Sequence, residues 1–272
     1  MIEAYSLYSG SSGNAYLIKS KTTAILVDAG RSSAALCRAL KAVGCKPEEI
    51  SAVLVTHEHS DHVSALRVFT KKYHTRIIGA TPVLMAVCEN EDMCDCARAL
   101  PGGKEFLIGD IAVSSCITPH DSSACVCYRF RTEDGSSLAI ATDMGVVTEE
   151  CDAFLKGADI AIVESNHDPR MLSVGPYPPH LKSRIASRYG HLSNEQCGEL
   201  AVSMAEAGTK AFVLAHLSRE NNTPELALET VSASLKNAGF DCIPIECAGE
   251  NHTVRIAVDC GECAVYCMTD GE

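Results

Sequence analysis

Seven consecutive residues, Thr56-His57-Glu58-His59-Ser60-Asp61-His62, place four cation-binding side chains directly after the apolar run 52–55. A short, fully apolar run bounded by polar residues reads as a strand covered on both faces. The fold must therefore bury this strand and still deliver the loop that follows it to an open cleft. His57 and His59 are spaced so that an extended loop aims both imidazoles one way, whereas Asp61 and His62 open a helix and face a second position. Imidazole together with carboxylate suits zinc, iron or manganese. A polar loop that happens to be rich in histidine is the alternative, but with ten histidines in 272 residues such clustering is improbable by chance.

Four ligands from one loop do not complete two cation sites, so the missing partners belong at the ends of other buried strands. Apolar runs at 111–117, 124–130, 138–141, 159–163 and 211–215 read as strands. His120, Asp143 and His216 each stand just past one of them, where loops gather at one edge of a sheet. Upstream, 15–18 and 24–27 read as a hairpin joined by 19–22, and 32–43 has helical spacing that stops at Gly44. Residues 61–72 predict a further helix. Thr81 with Pro82 predicts a helix N-cap followed by proline at the first helical position. Ser193 with Gln196 forms a capping-box pattern, and Thr223-Pro224 opens a helix running to about Asn237. Residues 167–179, with four prolines and a glycine, read as irregular. Strands followed by strands mixed with helices, the pattern repeated in the second half, suit an α+β chain with two sheets face to face and helices outside. No boundary divides the sequence, so residues 1–272 are read as one domain, with 260–272 as a flexible tail.

The net charge is −12. A uniformly acidic surface repels nucleic acid, so a nucleic-acid substrate requires a basic patch near the site. Residues 166–191 supply one: Arg170, Lys182, Arg184 and Arg188 against the single acid Asp168 give a local balance of +3. No run approaches the roughly 18 apolar residues of a membrane span, and no signal peptide is seen at Met1-Ile2-Glu3. Fifteen cysteines, an odd number, then point to a reducing cytoplasm and to free thiols or ligands rather than disulfides. Cys88, Cys94 and Cys96, and Cys260, Cys263 and Cys267, are close in sequence but lack a clear fourth ligand. His74, His180 and His252 read as surface residues.

Three features bear on the substrate. Glu164 ends a strand and His191 precedes the capped helix; a carboxylate holding an imidazole makes a general acid for a leaving alkoxide. Ser9-Gly10-Ser11-Ser12-Gly13-Asn14 is a flexible loop able to turn backbone N–H groups to a phosphate, with Ser11 and Asn14 as candidate contacts. His167 lies close enough to Glu164 in sequence to touch a metal or a phosphate, and Lys182 and Arg184 are the candidate grips on a backbone.

The series His57-x-His59-x-Asp61-His62, then His120, Asp143 and His216, resembles the full ligand pattern of the metallo-β-lactamase superfamily. That resemblance spans almost the whole chain and implies a four-layer αβ/βα sandwich with two divalent metal ions at one edge. By position, His57, His59 and His120 would hold one ion and Asp61, His62 and His216 the other, with Asp143 between them. Two ions about 4 Å apart acidify a shared water and clamp the attacked centre. The Glu164 and His191 positions resemble the phosphodiesterase branch, including ribonuclease Z. The stretches 9–14, 164–168, 177–194 and 216–222 are similar to the small bacterial YycJ/WalJ-like nucleases. This implies a 5′→3′ DNA exonuclease using manganese or a similar ion, with Asp61, Glu164 and His191 as catalytic residues and DNA, or RNA, as substrate. The alternative is a small-molecule ester, thioester or cyclic-phosphate hydrolase of the glyoxalase II type.

Overall fold

The computed structural model describes residues 1–88, 91–101, 103–259 and 262–268. The chain opens on three antiparallel strands, β1 (Ile2–Tyr8), β2 (Ala15–Lys19) and β3 (Ala24–Val27). Helix α1 (Ser33–Ala42) leads to β4 (Ile50–Leu54), which lies parallel to β3. Helices α2 (Ser60–Val63) and α3 (Leu66–Tyr73) lead to β5 (Arg76–Gly79), and α4 (Thr81–Val87) and α5 (Glu91–Cys96) to β6 (Ala97–Ala99). A second sheet begins with antiparallel β7 (Phe106–Ile108), β8 (Ile111–Ile117), β9 (Val126–Thr132) and β10 (Ser137–Ala141). It continues in parallel through α6 (Glu149–Leu155), β11 (Ile160–Glu164), α7 (Pro169–Val174), α8 (Pro179–Ile185), α9 (Asn194–Glu206), β12 (Ala211–Ala215), α10 (Pro224–Asn237) and β13 (Ile245–Cys247). Strands β14 (Thr253–Asp259) and β15 (Glu262–Met268) return to the first sheet beside β1. The sheet orders are β15-β14-β1-β2-β3-β4-β5-β6 and β13-β12-β11-β10-β9-β8-β7.

The central strands are apolar throughout because each faces a core on both sides. Successive side chains alternate between the two. In β3, Ile25 and Val27 point between the sheets, while Ala24 and Leu26 meet α1, α3 and α4 outside. In β10, Leu138 and Ile140 point inward, while Ala139 and Ala141 meet α6, α9 and α10. Three contiguous cores thus separate four layers, helix–sheet–sheet–helix, the αβ/βα sandwich expected from the sequence. Among the described residues no helix is long and apolar enough to cross a membrane.

Several local expectations change. The single helix expected over 61–72 is two helices, because the His62 carbonyl accepts the Ala29 N–H at 2.7 Å instead of the N–H one turn on, and the Ala65 N–H donates to the Ala29 carbonyl at 2.8 Å. Ala80, not Thr81, is the N-cap of α4, with Thr81 and Pro82 inside its first turn. The irregular stretch 167–179 contains α7, capped by the Asp168 side chain at the Met171 N–H. Residues 262–268 of the expected tail form the edge strand β15; positions 260, 261 and 269–272 lie outside the described residues.

The ends of β4, β8, β10, β11 and β12 lead into His57, His120, Asp143, Glu164 and His216 at one edge of the sandwich. Three backbone segments are braided there: Asn14 N–H donates to the Asp61 carbonyl, Gly30 N–H to the Asn14 carbonyl, and Ala29 N–H to that of His62. A side chain on Gly30 would overlap both the Asp61 carbonyl and the Asn14 amide. Gly30→Ala is therefore expected to lose about 2 kcal/mol in urea unfolding and to lower metal content. Gly44→Ala, whose Cβ meets open space at φ +68°, is expected to lose about 1 kcal/mol and keep its metal content.

Candidate metal centre

Seven side chains converge at this edge. The ligand atoms of His57, His59 and His120 all lie within 4.8 Å of one another, as do those of His57, His62 and Asp143, and those of Asp61, His62 and His216. Asp143 occupies the middle: its Oδ2 is 3.3 Å from His62 Nε2, and its Oδ1 is 3.7 Å from His120 Nε2 and 3.6 Å from His216 Nδ1. Asp143 and His216 both adopt left-handed backbone, at φ 59° and 56°, as does Asp28 at 61°. Non-glycine residues hold that conformation only where their surroundings impose it.

Behind the cluster, each of four imidazoles has an oxygen at its outer nitrogen. His62 Nδ1 is 2.7 Å from Asp28 Oδ2, His120 Nδ1 is 2.9 Å from the Gly190 carbonyl, and His216 Nδ1 is 2.8 Å from Glu164 Oε1. Thr56 Oγ1 is 3.0 Å from His57 Nδ1 and donates to Asp28 at 2.8 Å. Such bonds fix each ring with Nε2 aimed at a cation. The inner atoms fit that purpose: Nε2 of His57, His120 and His216 and Oδ2 of Asp143 are buried with no hydrogen-bond partner. Buried polar atoms are almost always satisfied, so this convergence marks a site built for divalent cations. Among the described residues no cysteine joins these ligand groups, and Cys260 lies outside the described residues.

Residues 8–216 match the family model described as the metallo-beta-lactamase superfamily. The chain belongs to the metallo-β-lactamase superfamily. It is 36% identical over 236 residues to exodeoxyribonuclease WalJ of Streptococcus pneumoniae serotype 2 (strain D39 / NCTC 7466), covering 85% of this chain and 87% of that protein. It is 35% identical over 246 residues to exodeoxyribonuclease YycJ of Bacillus anthracis, covering 86% and 89%. The crystal structure of the metallo-β-lactamase-fold protein YhfI from Bacillus subtilis superposes with a TM-score of 0.69 at 17% identity, covering 93% and 98% of the two chains.

The remaining residues singled out in the sequence fall in three places. Glu164 and His191 meet: His191 Nδ1 is 2.7 Å from Glu164 Oε1, and the His191 ring stands 5.0 Å from that of His120 and 5.2 Å from that of His216. Asn14 is buried, with its amide nitrogen 3.1 Å from His62 Nε2 and 3.4 Å from Asp61 Oδ2, so it braces two side chains of the cluster and does not stand free for a phosphate. Ser11 is exposed on the same loop. Lys182 donates to the Ser173 carbonyl, and Arg184 pairs with Asp121, whose other oxygen is 3.3 Å from His120 Nε2. His167 is buried outside the ligand groups, its Nδ1 unpartnered, and burial pulls it down to about 4. His74 and His180 are exposed, whereas His252 is half-buried with Nε2 3.1 Å from the Cys247 carbonyl.

Sequence reasoning missed Asp28, although it follows the strand Ala24–Val27 as Asp143 follows β10. Burial raises the Asp28 carboxyl, and the His62 imidazole opposes that rise. Burial opposes charge on His62 too, but Asp143 and Asp28 outweigh it and lift His62 to about 10. His216 is likewise raised by Asp143, Asp61 and Glu164 against its burial.

A cation taking the Nε2 atoms of His62 and His216 must displace protons. The sign follows: below these raised values the ligands are protonated, so affinity falls as pH falls, by up to about two log units per pH unit. Calorimetry of manganese or zinc uptake in two buffers of different ionisation enthalpy is expected to show proton release. Asp28→Asn, which weakens the hold on the His62 proton, is expected to release fewer protons and to lower affinity roughly 10- to 100-fold. Equal release from both proteins would remove Asp28 from this role.

Proposed function

We propose that this chain is a dinuclear metal-dependent phosphodiester hydrolase that degrades DNA from the 5′ end. The observation that carries this reading is the His191–Glu164 pair set beside a complete ligand cluster, in a chain 36% identical to a protein named exodeoxyribonuclease over 85% of its length. His57, His59 and His120 would hold one ion and Asp61, His62 and His216 the other, with Asp143 between them. The nitrogen and carboxylate donors suit zinc, manganese or iron. When bound, the two ions supply an activated water and Lewis acidity to the attacked phosphorus.

The chain's own groups do the rest. Glu164 Oε1 engages His191 at Nδ1, which fixes the ring and leaves Nε2 to carry a proton to the leaving alkoxide. Burial acts to raise Glu164, but the His191 and His216 imidazoles outweigh it and bring the carboxyl down to about 2, so it stays ionised across the working pH range. Arg170, Lys182, Arg184 and Arg188 against Asp168 supply local positive charge for a phosphate backbone in a chain of net −12. The content of fifteen cysteines supports a reducing compartment such as the cytoplasm. That same net charge favours one second reading, hydrolysis of a small ester, thioester or cyclic phosphate.

A time course with 5′-labelled linear duplex DNA and manganese separates the two. Labelled mononucleotides are expected from the wild type and not from His59→Ala. Intact DNA in the presence of bound ions would transfer the assignment to the small-molecule reading.

His191→Ala is expected to lower kcat roughly 10²- to 10⁴-fold with metal content unchanged. Glu164→Gln is expected to lower both kcat and metal content, because it disturbs His216 as well. Wild-type turnover in His191→Ala would exclude it as the proton donor.

A further inference from the structure

Beyond His120 the cleft wall carries a recess of about 390 Å³, lined among others by Ile117, His120, Glu150, Arg188 and Tyr189. His120 is among its lining residues, and the turn that bears Tyr189 reaches the His120 ring through the Gly190 carbonyl, so the recess adjoins the metal centre. Two large apolar side chains stand open to solvent around it, Ile117 at 70% and Tyr189 at 55% exposure. Among the described residues no ring stacks on Tyr189 and no group hydrogen-bonds its hydroxyl.

The backbone beneath this ring is held on both sides. The Tyr189 carbonyl accepts the Asp121 N–H at 3.0 Å, and its N–H donates to Ser187 Oγ at 3.2 Å. The next carbonyl, of Gly190, is the one that orients His120. Gly190 has no room for a side chain, because a Cβ there would overlap the carbonyls of Arg184 and Ile185. A flat aromatic side chain is therefore displayed on a fixed turn whose next two residues reach the site, Gly190 through its carbonyl to His120 and His191 through its ring. Binding to such a side chain orders few rotatable bonds. Every nucleobase presents a π-face, and stacking on an aromatic side chain is worth about 1–3 kcal/mol per base. Arg188 and Glu150 both line the recess, and a phosphate is drawn to the cation and repelled by the carboxylate.

We infer that Tyr189 is the stacking platform for an unpaired nucleobase of the strand being cut, with Ile117 against the base edge and Arg188 at the adjoining phosphate. This inference rests on the nuclease reading and names the part of its substrate that the recess takes.

The chain contains no tryptophan, so Tyr189→Trp creates a single fluorescent reporter. With the manganese-loaded protein, oligodeoxynucleotides carrying one abasic residue at successive positions near the 5′ end are compared with the intact strand. At one position the abasic substrate is expected to raise the wild-type KM about 5- to 100-fold. Tyr189→Ala is expected to show a similar rise on intact DNA and to be indifferent to that abasic position, with Tyr189→Phe restoring both. Fluorescence of Tyr189→Trp is expected to be quenched by the intact oligonucleotide and not by that abasic one. DNA cleavage with equal abasic penalties in wild type and Tyr189→Ala, or with no quenching, overturns the platform and leaves the nuclease reading standing. Absence of DNA cleavage by the wild type with ions bound overturns the nuclease reading, and the platform with it.

Discussion

One buried carboxylate ties the second sheet's share of the site together. Glu164 Oε1 is shared by Nδ1 of His191 and of His216, while Oε2 accepts the N–H groups of Met144 and Leu192. The side chain is fully buried, and an unpaired charge there would be strongly destabilising. Four donors surround it instead. Met144 follows Asp143 and Leu192 follows His191, so the same carboxylate sets the loop of Asp143, the ring of His216 and the ring of His191. The strand order makes this possible, since β11 lies between β10 and β12 and its end adjoins the loops that follow both.

Asp28 plays the matching part in the first sheet. It too is fully buried at the end of a strand, and it holds His62 directly and His57 through Thr56. Each sheet thus contributes a buried carboxylate that engages imidazole Nδ1 atoms of the cluster. The loop between β1 and β2 joins the two halves: Ser9 Oγ accepts the His216 N–H, and Asn14 reaches Asp61 and His62. A further layer of amides lies beneath, where Asn166 donates to the His216 carbonyl and Asn222 binds the Ser165 and Asn166 carbonyls. These donors fill the buried acceptors that a left-handed turn at His216 would otherwise leave open.

The convergence of the seven side chains was legible because it depends on local rules. A dense His/Asp motif follows an apolar run, and each later ligand stands just past a strand. The Glu164–His191 pairing was legible for the same reason, although nothing local says that Glu164 also carries His216. What escaped depends on contacts distant in sequence. The break between α2 and α3 comes from Ala29, more than thirty residues upstream, taking the His62 carbonyl. Asn14 reads as a phosphate contact on a flexible loop until the fold brings Asp61 and His62 onto it, and the chain 262–268 reads as a tail until β14 offers it an edge. Asp28 carried a usable signal, a carboxylate directly after an apolar strand, but one without a histidine neighbour in sequence to draw notice.

The acidic composition then takes on a different meaning. Four carboxylates, of Asp28, Asp61, Asp143 and Glu164, are packed around the imidazoles of one cleft edge, where they attract cations. Two divalent ions would offset a third of the formal charge of −12, and they would do so where a phosphate must approach. On the nuclease reading the outer surface still repels a polyanion, so affinity cannot arise from coating a duplex. It has to come from the few groups at the cleft: the ions, Arg188, and a neutral contact that charge repulsion does not weaken. Arg184 already shares its charge with Asp121 and Lys182 is turned to the Ser173 carbonyl, which leaves less of the local basic excess for a phosphate than its sequence count implies. On that reading an acidic enzyme that must hold a polyanion by one end gains most from an uncharged anchor, which the exposed Tyr189 ring would supply.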